Sequence, residues 1–305
     1  MSVWLTKRLA YALVTLLAIS TIVFGLVRLT GDPVLLFLPQ DASAEDVARM
    51  RQQLGFTDPL SVQYVRFLGA TFRGDLGFSL KHQEPALRVV ARRIPATFEL
   101  AVAAMVLVLV IALPAGIFSA LRRNSWFDRV LMTGVVLGQS MPTYWVGIML
   151  VLLVSVRWHA LPPFGRGTLA HLVMPSVTLA LFFVARTARL TRSGMVNQLR
   201  SDYVRTARAK GLPGRAIVVK HALRNAALPI VTMIGIEFGT LLGGTVITET
   251  VFAWPGLGRL AVEAINGRDY PVVQTVVLLI SAMFVTINLV VDLLYRWLDP
   301  RVDLA

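Results

Sequence analysis

The chain has 305 residues, 56% of them hydrophobic and only 15% charged, with a formal net charge of +13 and no cysteine. A soluble globular domain averages about a quarter charged residues, so a soluble enzyme or binding domain is excluded, and the lack of cysteine removes disulfides and thiolate metal sites. On so apolar a chain the basic surplus reads as a topology signal, since basic residues gather in cytoplasmic loops; nucleic acid is not implied.

Crossing the hydrocarbon core takes roughly 20 mostly apolar residues, and six runs meet that length. The first, residues 9–27, follows Lys7 and Arg8. It is longer than a usual signal-peptide core and no A-x-A site follows, so it reads as an uncleaved first span. Segment 28–99 comes next. Its nine Lys and Arg do not bind it to the inside, because long loops translocate largely regardless of charge. Within it, Ser43 and Asp46 form a capping-box start and Gly55 a stop. Pro59 suits a first helical position, GDLGFSL (74–80) reads as a turn and an extended piece, and EPALRVVARRIP (84–95) reads as a short amphipathic helix. The expectation is a small helical cap outside the membrane, either a cover or a docking surface at a mouth.

The second run is 100–120 and the third, the longest, is 130–156; between them stand Arg122, Arg123 and Arg129. A weaker fourth run covers 169–190. Segment 186–225 then carries ten Lys and Arg against the single acid Asp202. The fifth run is 226–247 and the sixth 271–295. Alternate segments are rich in Lys and Arg, which predicts an all-α membrane domain of six spans with both termini inside. One transmembrane domain, 1–305, is expected. Pro114, Pro142, Pro175 and Pro229 fit a bundle with bends, which neighbouring helices can accommodate.

Inside the fifth run, Gly235, Gly239 and Gly243 recur every fourth residue, a smooth face for close helix approach. Glu237 lies about 200° round the helix from Gly235. A charge at mid-membrane is costly and usually faces a bundle interior or water; Glu237 is either hydrogen-bonded to a neighbouring span or lines a path and meets cationic substrate groups. The path candidates are Glu237, Gly239, Gly243 and Gly244. After the run, VFAWPGLGRL (251–260) offers Trp254, suited to an interface, and the breakers Pro255 and Gly256; these are candidates for an outer mouth or a plain interfacial turn. Asp292 reads as a solvated or Arg296-paired carboxylate. The four histidines show no metal spacing, and neither a GxSxG elbow nor a GxxxxGK[ST] phosphate loop occurs. Catalysis by this chain, a bound metal and an ATP site of its own are therefore not expected. Uphill transport would need an ion gradient or another subunit.

The basic segment DYVRTARAKGLPGRAIVVKHALRNAALP (202–229) predicts a helix from 195 to 210, a stop at Gly211, Pro213 and Gly214, and a second helix over 215–225. A polybasic anchor for anionic lipid is one reading. Yet Ala, Leu and Val alternate with the basic residues around a Gly-Leu-Pro-Gly bend, which suits docking into a partner's groove.

This segment resembles the cytoplasmic coupling loop of permease subunits of ATP-binding-cassette importers, within the dipeptide/oligopeptide/nickel permease family, first-subunit type. GDLGFSL, RIPATFELA, SMPTYWVGIML, TETVFAWPGLGRL and NGRDYPVVQ are similar to that family as well. The resemblance implies a membrane path shared with a homologous second permease, two ATPase subunits that bind ATP and Mg, and an extracytoplasmic substrate-binding protein, in a bacterial inner membrane. It implies import of peptides, or of glutathione or a nickel chelate; a gradient-driven carrier is the other class. It assigns the coupling role to Arg205, Thr206, Ala207, Arg208, Ala209, Lys210, Gly211, Leu212 and Arg215. Where the general permease pattern has Glu-Ala-Ala, this chain has Arg205, Thr206 and Ala207, so a salt bridge made through that acid is not carried over.

Overall fold

The computed structural model describes residues 2–29, 43–53, 56–79 and 81–298. The expected stop Gly55, Leu80 of the extended piece, residues 299–305 and the side chain of Arg296 lie outside the described residues. The described residues are mostly helical, and they fall into two compact units, 1–95 with 256–283 and 96–255 with 284–305.

The first unit contains α1 (Ser2–Leu29), α2 (Ala44–Gln53), α3 (Leu60–Phe72), a two-residue hairpin of β1 (Phe78–Ser79) and β2 (Glu84–Pro85), α4 (Ala86–Ala91), α13 (Leu257–Asn266) and the first part of α14 (Tyr270–Leu298). Ser43 and Asp46 cap α2 reciprocally: the Ser43 hydroxyl donates to Asp46 Oδ2 at 2.7 Å and Asp46 N–H donates back at 3.2 Å. The Ser43 hydroxyl, and the Ser43 N–H that also donates to Asp46 Oδ2 at 3.3 Å, hold the Asp46 carboxyl below its ordinary range. Tyr64 on α3 lies 2.6 Å from the Thr21 hydroxyl of α1 and packs edge-on against Phe24. A second core joins Val89 and Val90 of α4, Leu257 and Leu260 of α13, and Val272 and Val276 of α14. The buried Ser79 hydroxyl donates to Asp269, tying the hairpin to the entry of α14.

The second unit holds α5 (Ile94–Leu121) from Ala96 onward, α6 (Trp126–Ser140), α7 (Thr143–Leu150) continued as a π-helical stretch Val151–Arg157, α8 (Leu169–Leu199), α9 (Asp202–Ala209), α10 (Gly214–Ala216) continued as a π-helical stretch Ile217–Leu223, α11 (Arg224–Gly244) and α12 (Val246–Val251). α8 packs against α6, α7 and α11.

Among the described residues five helices are long and apolar enough to cross a membrane, and α6 with α7 makes a sixth if the bent pair is one span. The long third run is thus two helices meeting at 97°. Proline lacks an N–H and disfavours helix for the residue before it; Met141 is extended at ψ 131° and Pro142 opens α7. Pro114, Pro175 and Pro229, by contrast, lie inside continuous helices. The helix expected over 195–210 is interrupted at Arg200 and Ser201, and the one expected over 215–225 runs without a break into α11.

Candidate functional site

Asp202–Ala209 is a two-turn helix whose apolar residues fall on one side. Val204 and Ala207 are buried with Ile217, and Leu212 packs on them. The helix ends where Gly211 takes φ +75°. Leu212 N–H donates to Ala207 O at 3.2 Å and Lys210 N–H to Thr206 O at 3.0 Å. This left-handed cap with an apolar residue tucked behind it is the usual way a helix turns back, and glycine adopts that φ without steric cost. Pro213 then starts the return leg.

The nine coupling candidates divide accordingly. Ala207 is buried and Leu212 half-buried, and they hold the turn; Arg205, Thr206, Arg208, Ala209, Lys210, Gly211 and Arg215 are exposed. Arg205 meets Asp202 one turn away at 3.2 Å, with both side chains in solvent, so the pair contributes little. Arg208, Lys210 and Arg215 have no ion-pair partner among the described residues. Arg208 and Arg215 border a cleft of about 660 Å³ floored by Phe118, Leu121, Leu199 and Val218.

The fifth run divides its two faces as its spacing predicts. Gly235 and Gly239 face α14: a Cβ on Gly235 would lie 2.3 Å from Val291 Cγ2, and one on Gly239 2.9 Å from the Phe284 ring. Gly243 is exposed and Gly244 is the last residue of α11. Glu237 is 1% exposed and accepts a hydrogen bond from Thr187 of α8 at 2.6 Å. Its other oxygen, Oε1, has no hydrogen-bond partner among the described residues. Within the single chain, then, Glu237 points from α11 to α8.

Trp254 is not at a lipid interface: it is fully buried, and its indole N–H donates to Ala96 O at 2.8 Å. Ala253 before it takes φ +49°, and Trp254 N–H donates back to Glu249 O at 2.8 Å, so α12 closes by the same left-handed turn as α9. Pro255 is half-buried and Gly256 buried and extended. Glu249, two residues past the fifth apolar run, is buried and accepts hydrogen bonds from Thr97 and Thr245, each at 2.8 Å.

A charged cluster around the buried Asp128 escaped the sequence; its partner Arg192 is 27% exposed along the side chain. Arg192 of α8 reaches Asp128 of α6 through two parallel bonds, Nε to Oδ1 at 2.8 Å and Nη2 to Oδ2 at 2.6 Å. Ser119 of α5 donates to Asp128 and accepts from Arg192 Nε at 3.1 Å, and Asn124 N–H donates to Asp128 at 2.9 Å. Asp128 is 3% exposed. No local spacing signals partners this far apart along the chain.

Residues 112–304 match the family described as the binding-protein-dependent transport system inner membrane component, and residues 1–101 match the N-terminal region of such membrane components. The chain is 44% identical over 297 residues to the glutathione transport system permease protein GsiC of Pectobacterium atrosepticum, covering 97% of each chain. It is 38% identical to the dipeptide transport system permease protein DppB of Escherichia coli K12, covering 98% of each. Its fold is similar to a chain of the MetNI methionine ABC transporter in an inward-facing conformation, with a TM-score of 0.61 and 21% identity, over 69% of this chain and 96% of that one.

Proposed function

The chain belongs to the family of binding-protein-dependent transport system inner membrane components, and from that premise we propose that it forms half of an ATP-driven import path for short peptides. It is a permease subunit of an ABC importer of the peptide and glutathione family, a multi-pass membrane protein and not an enzyme. A permease of this kind carries no cofactor and works with a second permease, an ATPase and a substrate-binding protein.

The finer assignments are our reading. The second permease is a homologue, and two ATPase subunits bind ATP and Mg beneath the pair. Both termini and the segment 200–223 face those ATPases on the inner side of a bacterial inner membrane, and the binding protein delivers substrate from the other side. The helix α9 with its Gly211 turn is the coupling element. The observation that carries this is the division of its residues: Val204, Ala207 and Leu212 anchor the turn on Ile217, while Arg205, Arg208, Lys210 and Arg215 are exposed around that packed base. A flexible lipid anchor needs no such base. Of the path candidates on α11, Glu237, Gly243 and Gly244 are kept for the path, Gly239 is assigned to the packed contact with Phe284 of α14, and Trp254, Pro255 and Gly256 are assigned to the framework of the outer mouth.

The test is reconstitution of the importer with Arg208→Glu. Loss of co-purifying ATPase subunits is expected; retention of both ATPase association and substrate-stimulated hydrolysis would count against the coupling assignment. For the substrate, the glutathione reading has an observation in its favour, since GsiC aligns at 44% against 38% for DppB. Competition between labelled dipeptide and glutathione for uptake separates the two.

A further inference from the structure

The Arg192–Asp128 cluster sits where the coupling segment is attached. α9 begins ten residues after Arg192, and three helix ends converge on the pair. Asp128 belongs to the first turn of α6, whose N-cap Ser125 accepts from Asp128 N–H at 3.2 Å. Ser119 belongs to the last turn of α5. Arg192 approaches from α8. A two-bond guanidinium–carboxylate contact fixes orientation as well as distance, because the guanidinium is a planar fork. With the Ser119 hydroxyl bridging both charges, α5, α6 and α8 are tied together at one point in a defined orientation.

The surroundings extend that block to the return leg. A Cβ on Gly116 would come within 2.6 Å of Thr191 and 2.7 Å of Ala188 O, so α8 lies directly on α5. Next to it Ala120 and Met195 pack with Ala222, Ala226 and Ile230. Both legs of the 200–223 segment therefore stand on one packed base. Folding alone does not require charge there, since well-packed apolar residues often replace a buried ion pair without loss of stability. What they do not reproduce is that defined orientation.

We infer that Arg192 and Asp128 are positioning residues of the import cycle, which lock the adjoining ends of α5, α6 and α8 into one lever so that movement applied to α9 reaches the membrane helices instead of being absorbed by slippage between them. The inference rests on the coupling role of α9.

The experiment uses the complete importer in lipid vesicles and reads two quantities: the ATPase subunits retained, and the substrate imported per ATP hydrolysed. Asp128→Leu with Arg192→Met replaces the pair by apolar residues, and Arg192→Lys keeps the charge but not the fork. Both variants are expected to retain the ATPase subunits while import per ATP falls about fivefold or more, the low end of typical coupling between sites. A wild-type ratio in Arg192→Lys, or loss of ATPase subunits from both variants, overturns the inference. Arg208→Glu is run in parallel. If that variant keeps its ATPase and full import, the coupling role of α9 fails and the clamp with it; if it loses its ATPase while Arg192→Lys keeps the wild-type ratio, the clamp alone fails.

Discussion

Thr187 on α8 donates its hydroxyl to Glu237 Oε2 on α11 across 2.6 Å, and the carboxylate has no second partner among the described residues. Removing the donor leaves a buried acidic group with less than it has, and an unsatisfied buried group costs about 1–3 kcal/mol, more when charged. Thr187→Val is therefore expected to lower the melting temperature of the purified importer. Glu237→Gln should leave assembly intact and slow uptake if the free oxygen serves the path. Uptake by the Gln variant at the wild-type rate, measured in vesicles, would remove Glu237 from the path.

Gly211 holds φ +75°. A non-glycine residue in the left-handed region costs roughly 1–2 kcal/mol, with Asn among those that visit it most readily, and proline is fixed near −65° and cannot enter. The expected order of ATPase association is wild type, then Gly211→Asn, then Gly211→Ala, then Gly211→Pro. Pull-down of the ATPase subunits at equal permease loading measures it. Equal retention across the series would show that the turn is not what the partner grips.

Gly235 and Gly239 leave no room for a methyl group against Val291 and Phe284. Overpacking a well-packed contact costs about 1–3 kcal/mol. Gly235→Ala is expected to destabilise the importer, and Val291→Ala in the same chain to restore part of the loss, since neighbours in contact are energetically coupled. Gly243 is exposed in the single chain, so Gly243→Ala should be neutral there or favourable through helix propensity. Thermal unfolding of the three variants decides.

Trp254 and Ala253 make opposite predictions. Trp254→Phe removes the donor to Ala96 O and is expected to cost about 1–3 kcal/mol; Trp254→Ala adds a cavity and costs about 3–5 kcal/mol. Ala253→Gly relieves a left-handed backbone and should stabilise by about 1 kcal/mol. A destabilised Ala253→Gly chain would mean that the methyl group packs more than the backbone strains.

Much of the architecture is written in hydropathy: each apolar run corresponds to a long helix or, for the third, to a pair. That pair shows the limit. Pro142 ends a helix while Pro114, Pro175 and Pro229 do not, and one letter cannot say whether neighbours satisfy the carbonyl it frees. The bend after Lys210 was legible because glycine and proline act locally. The burial of Trp254 was not, because its acceptor is 158 residues away in sequence. The same holds for Asp128 and Arg192, which are 64 apart. Arg192 looked like one more topology charge among ten, and only the packed helix ends single it out.

The return leg enters α11 through the π-helical stretch Ile217–Leu223. A π turn holds a residue more than an α turn, and each residue of an α-helix advances the chain by about 100°. Deleting a single residue in 217–223 would let the stretch relax to a regular α-helix and swing everything before it around the α11 axis. The compass heading of the basic turn is thus set by residue count as much as by residue identity, and a one-residue deletion there would aim intact side chains at the wrong place.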